Sequence, residues 1–391
     1  MNMMKRCLLG VLIAFALLLT GCSGAERPKG NDPAQTDNRV NATEHGLSPK
    51  NAGEQNSRAL QALIDEVSAQ GGIVYIPAGI YEFAANGTQT IGSHCIKMRS
   101  NVSIVGDGEG TILKPIGRSQ YGLDMFYFND YLDTGAAVYL ENCRFEEFVI
   151  DAEGTSCEVY TSAGKGFMFN LFKNCHFKNV TVKNTDATGF GVDCPIGCTI
   201  VDCTAILCGK AATIENGGAS GFGIGFGYSE DESISIFDCT ASKNKKFGFF
   251  LEHQGRFDET RYRASTTKGF LIRSCVASEN LFGFGGICAR DTAYTDCVSN
   301  DSLRFGFFFE DTVASGAMRC KSRGDGEACF AVLQSEAFAP TQDRENYFSN
   351  CEGSGAPLGV LVMESDPEVP DPRIEECVFV SVQLEFEYRE A

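Results

Sequence analysis

Apolar residues follow two different periods along this chain, and the change occurs near Gly72. Between Asn56 and Gly71 they recur at i, i+3, i+4 and i+7, which is typical of one amphipathic helix capped by Asn56 and Ser57. The apolar positions of this helix are Leu60, Leu63, Ile64 and Val67. After Gly72 the period is two, and short apolar segments alternate with turns rich in glycine and asparagine, which predicts β-strands.

The strand pattern repeats itself in the rest of the chain. A cysteine preceded by a polar residue recurs, and a strand rich in glycine and phenylalanine follows most copies. Spacings of 22 and 23 residues give the basic unit, and two spacings of 36 residues indicate the same unit with an insertion. We align as one recurring position Cys143, Cys175, Cys203, Cys239, Cys275, Cys297, Cys320, Cys351 and Cys377.

A repeat of this length predicts a solenoid, because one coil cannot bury its own apolar face and must stack on the next. Cys, Phe, Ile and Val occupy the inward positions instead of the Leu framework of leucine-rich repeats, so a parallel β-helix fits best. The predicted fold is therefore all-β, with the amphipathic helix covering the open strand edge at the N-terminal end. We assign residues 51–391 to this single domain.

The first 50 residues predict export and a membrane anchor. Lys5 and Arg6 precede a short apolar run, and residues 1–21 have the form of a signal peptide. The tetrad Leu19-Thr20-Gly21-Cys22 resembles the bacterial lipobox, which implies that Cys22 is acylated, with palmitate among its lipids, and holds the protein on the extracytoplasmic side of a cell-envelope membrane. The alternative is an ordinary signal peptide that ends in cysteine. Residues 22–50 are polar and lack periodicity, which predicts a flexible tether.

Composition and charge limit the partners. The 391 residues carry a formal net charge of -18, so the chain as a whole does not attract nucleic acid. The 18 cysteines could be oxidised in an exported protein, but thiols stacked about 4.8 Å apart with parallel side chains suit a disulfide poorly. A buried ladder of reduced thiols is therefore expected, and disulfides such as Cys194–Cys198 remain the alternative. We predict no metal site, because the denser cysteine group lacks the C-x2-C spacing of structural zinc sites.

Two segments carry a resemblance to a known superfamily. They are Gly71-Gly72-Ile73-Val74-Tyr75-Ile76-Pro77-Ala78-Gly79-Ile80-Tyr81 and Asn101-Val102-Ser103-Ile104-Val105-Gly106-Asp107-Gly108. Together with the helix they resemble the opening of pectate lyase-like right-handed β-helix proteins. The later coils resemble the catalytic modules of mannuronan C5-epimerases. The resemblance covers most of the chain from about residue 56, and it implies a right-handed β-helix that acts on an acidic (uronate) polysaccharide.

Most catalytic residues of those epimerases are absent from this chain. Their Tyr-Gly-Phe-Asp-Pro-His-Glu segment matches Phe190-Gly191-Val192-Asp193-Cys194-Pro195-Ile196, which retains only the aspartate of the catalytic groups. A later family aspartate is replaced by Gly225, and an Arg-His pair by Lys246-Phe247. The resemblance therefore implies a changed or lost activity.

Other side chains could fill the missing roles. Alignment on the Phe-Gly-Phe strands places Glu252 and Glu310 in one column and Tyr228, His253 and Asp311 in the next. We expect five candidate catalytic residues to share one groove: Asp193, Tyr228, Lys246, Glu252 and His253. Proton abstraction at C5 of a uronate needs a base, an acid and a cation that neutralises the carboxylate. We assign these roles to His253, Tyr228, and Lys246 or Arg256; the alternative is that Glu252 and His253 form a hydrogen-bonded turn pair.

Local charge suggests where an anionic polysaccharide would bind. The segment 243–273 holds eight basic and three acidic residues in an otherwise acidic chain. A locally basic groove suits an anionic saccharide, although a solvated loop that balances nearby acids would look the same. The predicted substrate-binding residues are Arg256, Arg261, Arg263, Arg290 and Glu310.

Three functions therefore remain open. The first is a lyase or C5-epimerase of a uronate polysaccharide, and the second is a noncatalytic surface lipoprotein that binds glycan or has a structural role. The third is a glycoside hydrolase similar to polygalacturonases, suggested by Asn184-Thr185-Asp186, although the family's paired aspartates and Gly-His-Gly motif are missing. No cofactor is certain; calcium is possible because of the many acidic residues, but no spaced ligand loop is visible.

Overall fold

The computed structural model describes residues 38–86, 93–130, 135, 137–254, 269–334, 345–364 and 371–390. They belong to one compact unit, Thr36–Ala391. Within these ranges no helix is both long enough and apolar enough to cross a membrane. Residues 1–37, with the predicted signal peptide and the lipidation residue Cys22, lie outside them.

The described elements follow in chain order. They are β1 (Arg39–Asn41), a 3-10 turn (Ala42–His45), α1 (Gly53–Ser68), β2 (Gly72–Tyr75), β3 (Gly79–Phe83), β4 (His94–Lys97), β5 (Val102–Val105), a 3-10 turn (Gly108–Gly110), β6 (Thr111–Pro115), β7 (Gly117–Ser119), β8 (Asp124–Phe128), β9 (Leu140–Glu141), β10 (Arg144–Asp151), a 3-10 turn (Ala152–Gly154), β11 (Thr155–Cys157), β12 (Phe167–Lys173), β13 (His176–Lys183), β14 (Phe190–Ile196), β15 (Cys198–Val201), β16 (Thr204–Ile206), β17 (Phe222–Phe226), β18 (Ser233–Phe237), β19 (Thr240–Ser242), β20 (Phe247–His253), β21 (Gly269–Arg273), β22 (Val276–Ser278), β23 (Phe282–Ile287), β24 (Ala293–Thr295), β25 (Val298–Asn300), β26 (Phe305–Glu310), β27 (Gly316–Met318), β28 (Lys321–Arg323), β29 (Ala328–Gln334), β30 (Tyr347–Ser349), β31 (Glu352–Ser354), β32 (Leu358–Glu364), β33 (Arg373–Glu375), β34 (Val378–Val380) and β35 (Leu384–Glu390).

These strands form a right-handed parallel β-helix, which confirms the predicted fold class. One coil consists of three strands; β20, β21 and β22 pair in parallel with β23, β24 and β25 of the next coil. We call the stack that runs from β4 through β8, β12, β14, β17, β20, β23, β26, β29 and β32 to β35 the front sheet. The other two sides of each coil join the second large sheet of the described residues.

A phenylalanine ladder fills the interior behind the front sheet. The strand register places Phe190, Phe222, Phe249, Phe284 and Phe307 on successive coils. Their ring centroids are 4.6, 4.7, 5.0 and 4.9 Å apart along the series, which is close to the strand spacing of about 4.8 Å. The Phe-Gly repeat of the sequence therefore reflects one inward-facing ring in each coil.

The repeated cysteines form two ladders and not the single series that we predicted. The register His176↔Thr199 aligns Cys198, and not Cys203, with Cys175. The first ladder is Cys143, Cys175 and Cys198; the second is Cys203, Cys239, Cys275, Cys297, Cys320, Cys351 and Cys377. All cysteines in the described ranges are free thiols. The thiols of the two ladders donate to backbone carbonyls, as from Cys239 to Phe237 O at 3.1 Å, which compensates for their burial.

Helix α1 covers the N-terminal end of the β-helix, as predicted, because Leu60, Leu63 and Ile64 are buried on strands β2 to β5. Its predicted start is wrong: the helix begins at Gly53, before Asn56 and Ser57. Those two side chains instead connect the helix to its surroundings. The Asn56 amide donates to Ser48 O and Glu82 O at 3.0 Å, and the Ser57 hydroxyl donates to Ala84 O at 2.7 Å.

The predicted boundary of the tether at residue 50 is also wrong. Strand β1 lies inside the predicted tether and pairs in parallel with β2 through Arg39↔Ile73 and Asn41↔Tyr75. The Arg39 guanidinium lies 3.9 Å from the centre of the Tyr75 ring. A short polar segment can be ordered by an existing strand edge even when it lacks apolar periodicity, because the edge supplies backbone hydrogen bonds. The ordered domain therefore includes residues 39–50.

Candidate functional site

A cleft of about 360 Å³ lies on the outer surface of the front sheet, across strands β12, β14, β17 and β20. Its floor contains Gly191, Gly223 and Gly225, whose positions face outward between the inward-facing Phe and Ile residues. A side chain at Gly191 or Gly225 would fill the cleft, because an added Cβ would lie 2.5 Å from Lys165 Cδ or 2.3 Å from Asp193 Oδ1. The absence of side chains on this floor thus creates the space.

Three polar residues line one side of the cleft, at the point where successive front strands begin. Lys165, Thr188 and Ser220 each precede a Gly-Phe pair, and the pairing of Phe167, Phe190 and Phe222 stacks them in one column. The Ser220 N–H donates to Thr188 Oγ1 at 3.3 Å. The Ser220 hydroxyl is buried and has no hydrogen-bond partner among the described residues, so it can donate to a bound ligand.

Two predicted acids, Asp193 and Glu252, line the opposite side. They lie in one outward column with Gly225 between them, so their strands are two coil spacings, or roughly 10 Å, apart. The Gly225 N–H donates to Asp193 Oδ1 at 2.9 Å. Burial raises the pKa of Asp193, and the nearby Lys165 ammonium partly opposes that rise. The structure therefore brings these two predicted residues together on one cleft.

The sequence reasoning missed Lys165 and Asp124, which reach the same cleft from earlier coils. Asp124 Oδ1 accepts the N–H groups of Gly164 at 2.9 Å and Lys165 at 2.7 Å. Burial raises the pKa of Asp124 to about 6, against the effect of those two hydrogen bonds and the Lys165 charge. An alignment extended one coil upstream would have found Lys165, because Lys165-Gly166-Phe167 has the pattern of Thr188-Gly189-Phe190.

The structure does not bring His253 or Tyr228 into the cleft, so their predicted roles there as base and acid are wrong. His253 pairs with Phe226 and faces the interior, where 1% of its surface is exposed and its ring lies 5.1 Å from the Phe226 ring. Side chains alternate along a strand, so the neighbour of an outward Glu252 must face inward. Tyr228 lies in the turn after β17, and its N–H donates to the buried Glu232.

The remaining predicted residues lie beyond the cleft. Lys246 is half-buried just before β20; burial lowers its pKa, and the carboxylates of Glu252, Glu215 and Glu310 oppose that shift. Glu310 shares the column of Glu252 but is two coils further along, as predicted. Arg290 lies in the turn after β23, where its backbone forms a bridge with Val313. Three predicted substrate-binding residues lie outside the described residues: Arg256, Arg261 and Arg263.

The cleft therefore combines one ammonium group, three carboxyl groups and an unpaired hydroxyl. Burial raises the pKa of two of these carboxyl groups, those of Asp124 and Asp193. That of Asp124, at about 6, allows proton exchange near neutral pH. Lys165 can neutralise a substrate carboxylate or a developing negative charge. In the described part of the chain, no group of three or more His, Cys, Asp or Glu side chains is arranged to hold a metal ion.

Comparison with known proteins identifies relatives at the level of family and fold. A family model described as "Rhamnogalacturonase A/epimerase, pectate lyase-like" matches residues 39–254. No curated protein sequence matches the chain significantly. The A-module of mannuronan C-5 epimerase AlgE4 from Azotobacter vinelandii is similar in structure, with a TM-score of 0.60 and 16% identity over 90% of this chain and 99% of that one.

Two further solved structures share the fold. An exopolygalacturonase from Thermotoga maritima has a TM-score of 0.61 and 11% identity, with 92% of each chain covered. The tailspike protein of Escherichia coli bacteriophage HK620 has a TM-score of 0.58 and 14% identity, over 90% of this chain and 65% of that one. At these identities the likeness establishes the β-helix and leaves the reaction open.

Proposed function

Since the chain belongs to the Rhamnogalacturonase A/epimerase, pectate lyase-like family, we propose that it acts on an acidic polysaccharide in the front-sheet cleft. The proposal rests on one observation: Lys165 and the carboxyl groups of Asp124, Asp193 and Glu252 line the same cleft, whose floor consists of glycines. Similar structures include an epimerase of mannuronan and a polygalacturonase. The expected substrate is a chain that contains uronate sugars.

We propose proton abstraction at C5, as in a lyase or an epimerase, as the reaction. Lys165 neutralises the uronate carboxylate, which lowers the energy of the carbanion that forms when the C5 proton leaves. Asp193 or Glu252 accepts that proton, since both line the cleft on the side opposite Lys165. For an epimerase a second group delivers a different proton to the opposite sugar face. For a lyase the C4–O bond breaks, a C4=C5 double bond forms and the leaving oxygen takes up a proton.

A hydrolase is the second candidate, and Asp124 is the observation that favours it. A buried carboxyl group with a pKa of about 6 can protonate a glycosidic oxygen, while a second carboxyl group such as that of Glu252 activates water or attacks the sugar. The same group could instead serve as the acid that returns a proton in an epimerase. The two reactions give different products, so one experiment separates them.

The test incubates the purified protein in deuterated water with a panel of uronate polysaccharides, with and without calcium, followed by proton NMR. Exchange at C5 without unsaturation indicates an epimerase, unsaturated ends indicate a lyase, and new reducing ends alone indicate a hydrolase. Any of these activities should fall at least about 100-fold in Asp193→Asn, a loss typical of a catalytic acid or base. Glycan binding without any product would contradict catalysis and support a noncatalytic surface lipoprotein.

We also propose that the protein is exported and anchored by lipid at Cys22, on the extracytoplasmic side of a bacterial membrane. The basic residues, apolar run and Leu-Thr-Gly-Cys tetrad support this proposal. Cells that express the full chain should incorporate labelled palmitate into it and retain it in the membrane fraction. Cys22→Ala should lose the label and the membrane association together, whereas label that persists in this variant would contradict the assignment.

A further inference from the structure

Five oxygen atoms surround the ammonium group of Lys210. Lys210 Nζ donates to Ala152 O, to Asn184 O at 2.8 Å and to Thr155 Oγ1 at 3.1 Å. Glu153 O and Asp186 Oδ1 lie at 3.4 Å. The site joins two segments that are far apart in sequence, the turn 152–155 and the segment 184–186.

This arrangement is that of a cation site filled by a side chain. An ammonium group has three hydrogen atoms, so five surrounding oxygens exceed the number of hydrogen bonds that it can donate. Carbonyl, hydroxyl and carboxylate oxygens that converge on one positive charge are the ligands of hard cations such as K⁺ and Ca²⁺. The longer distances here, up to 3.4 Å, suit an ion the size of ammonium, since Ca²⁺ requires roughly 2.3–2.6 Å.

Asp186 connects the site to the cleft. The carboxylate of Asp186 is buried, and its Cβ lies against the backbone of Gly164, where an added Cβ would approach it to 2.7 Å. The Gly164 N–H donates to Asp124 Oδ1, and the next residue is Lys165. A chain of contacts thus runs from Lys210 through Asp186 and Gly164 to the charged groups of the cleft.

We propose that Lys210 is a tethered monovalent cation in an oxygen site, and that this site is a positioning element for the Gly164–Lys165 turn. The ammonium neutralises the buried Asp186 and holds turn 152–155 against segment 184–186. A soluble cation of similar size binds in its place when the amine is removed. The consequence for catalysis rests on the proposed function, whereas the cation site itself does not.

Four variants test the proposal by thermal unfolding. Lys210→Ala should lower Tm by about 5 °C, because a buried carboxylate loses its partner. Ammonium or potassium chloride should restore at least half of that loss, and choline chloride at equal ionic strength should not. Lys210→Met fills the space and Lys210→Arg is too large and planar for the site, so neither should be rescued. Lys183→Met removes an ion pair with Asp151, whose carboxylate keeps hydrogen bonds from the Glu153 N–H and the Asn184 amide, so neither ammonium nor potassium should raise the Tm of this variant selectively.

A measurement on the unsubstituted protein keeps the test valid even if Lys210→Ala does not fold. The Lys210 and Lys183 side chains are 31% and 36% exposed, so solvent access to the two amines is similar. Acetylation followed by mass spectrometry should modify Lys210 at least tenfold more slowly, because its ammonium is held by five oxygens. Equal acetylation rates, absence of rescue, or rescue by choline would each overturn the cation site.

The positioning role has its own readout once a substrate is known. Lys210→Ala should lower kcat more than it changes KM, and ammonium should restore kcat over the same concentration range in which it restores Tm. If Tm is rescued while kcat stays low, the cation site stands and its link to the cleft is refuted. If no substrate is turned over, the proposed function fails, and the Tm and acetylation results still decide the cation site.

Discussion

The floor of the cleft gives the sharpest prediction, which is the effect of Gly225→Ala. Gly225 lies between Asp193 and Glu252 and donates its N–H to Asp193 Oδ1. A methyl group at this position would lie 2.3 Å from that oxygen and 2.6 Å from Gln254 Nε2. Nonbonded contact requires about 3.3–3.5 Å, so the carboxylate must move by about 1 Å and its hydrogen bond must weaken.

The expected loss is large for activity and small for stability. A displacement of about 1 Å in a catalytic group can lower turnover about 100-fold, whereas one weakened hydrogen bond costs about 1 kcal/mol. The backbone of Gly225 is in an ordinary strand conformation, so alanine adds no backbone strain. Proton NMR of C5 exchange or product formation measures the activity, and urea denaturation measures the free energy of unfolding.

Gly217→Ala provides the matched control on the other wall of the cleft. An added Cβ at Gly217 would lie 3.8 Å from Ser162 Oγ, which is an ordinary contact. This variant should keep turnover within about threefold of the parent, a change of less than 1 kcal/mol. Full activity in Gly225→Ala, or an equal loss in both variants, would refute the assignment of Asp193 and its neighbours as the reacting groups.

Three further predictions concern stability and thiol chemistry. Leu60→Ala should lower the free energy of unfolding, measured in urea, by about 2–5 kcal/mol, because Leu60 is buried. Arg58→Ala, at an exposed position of the same helix, should lower it by less than about 0.5 kcal/mol. Equal losses in the two variants would contradict capping by α1. Burial raises the pKa of Asp124 from 3.8 to about 6, so folded protein keeps a proton that the unfolded chain releases. Asp124 should therefore contribute a loss of stability of up to roughly 3 kcal/mol as pH rises from about 4 to about 6, and Asp124→Asn should remove that contribution in pH-dependent urea titrations. Maleimide should label the half-buried Cys157, and Cys377 at the end of the second ladder, before the buried thiols of both ladders, and uniform labelling in peptide mass spectra would argue against the ladders.

The fold was predictable because one residue pattern recurs in every coil. The Phe-Gly repeat marks the phenylalanines that stack in the interior. The spacing of Cys275, Cys297 and Cys320 equals the length of one coil. The two cysteine ladders could have been separated by spacing, because Cys175 and Cys198 are 23 residues apart, the length of one basic unit, whereas Cys175 and Cys203 are 28 residues apart. The start of α1 was missed because Asn56 and Ser57 are good capping residues whose side chains bond to distant backbone atoms instead.

The site was predictable only in part, for geometric reasons. Asp193 and Glu252 were found because residues at equal positions of aligned strands must face the same side. His253 was misplaced for the same reason, since the residue after an outward glutamate points inward. Asp124 could not be found from sequence, because its place in the cleft depends on hydrogen bonds from the turn at Gly164 and Lys165.

The phenylalanine ladder also bears on how such a protein can change over evolutionary time. Fifteen residues separate β20 from β21, and five separate β23 from β24, yet the ring spacings Phe249–Phe284 and Phe284–Phe307 are 5.0 and 4.9 Å. Ten extra residues in a connection therefore leave the interior unchanged, whereas one extra residue inside a strand would turn every following side chain to the opposite face. Connections between strands can thus be lengthened at a small entropic cost while the interior stays the same, which lets the outer surface of such a fold diversify one connection at a time.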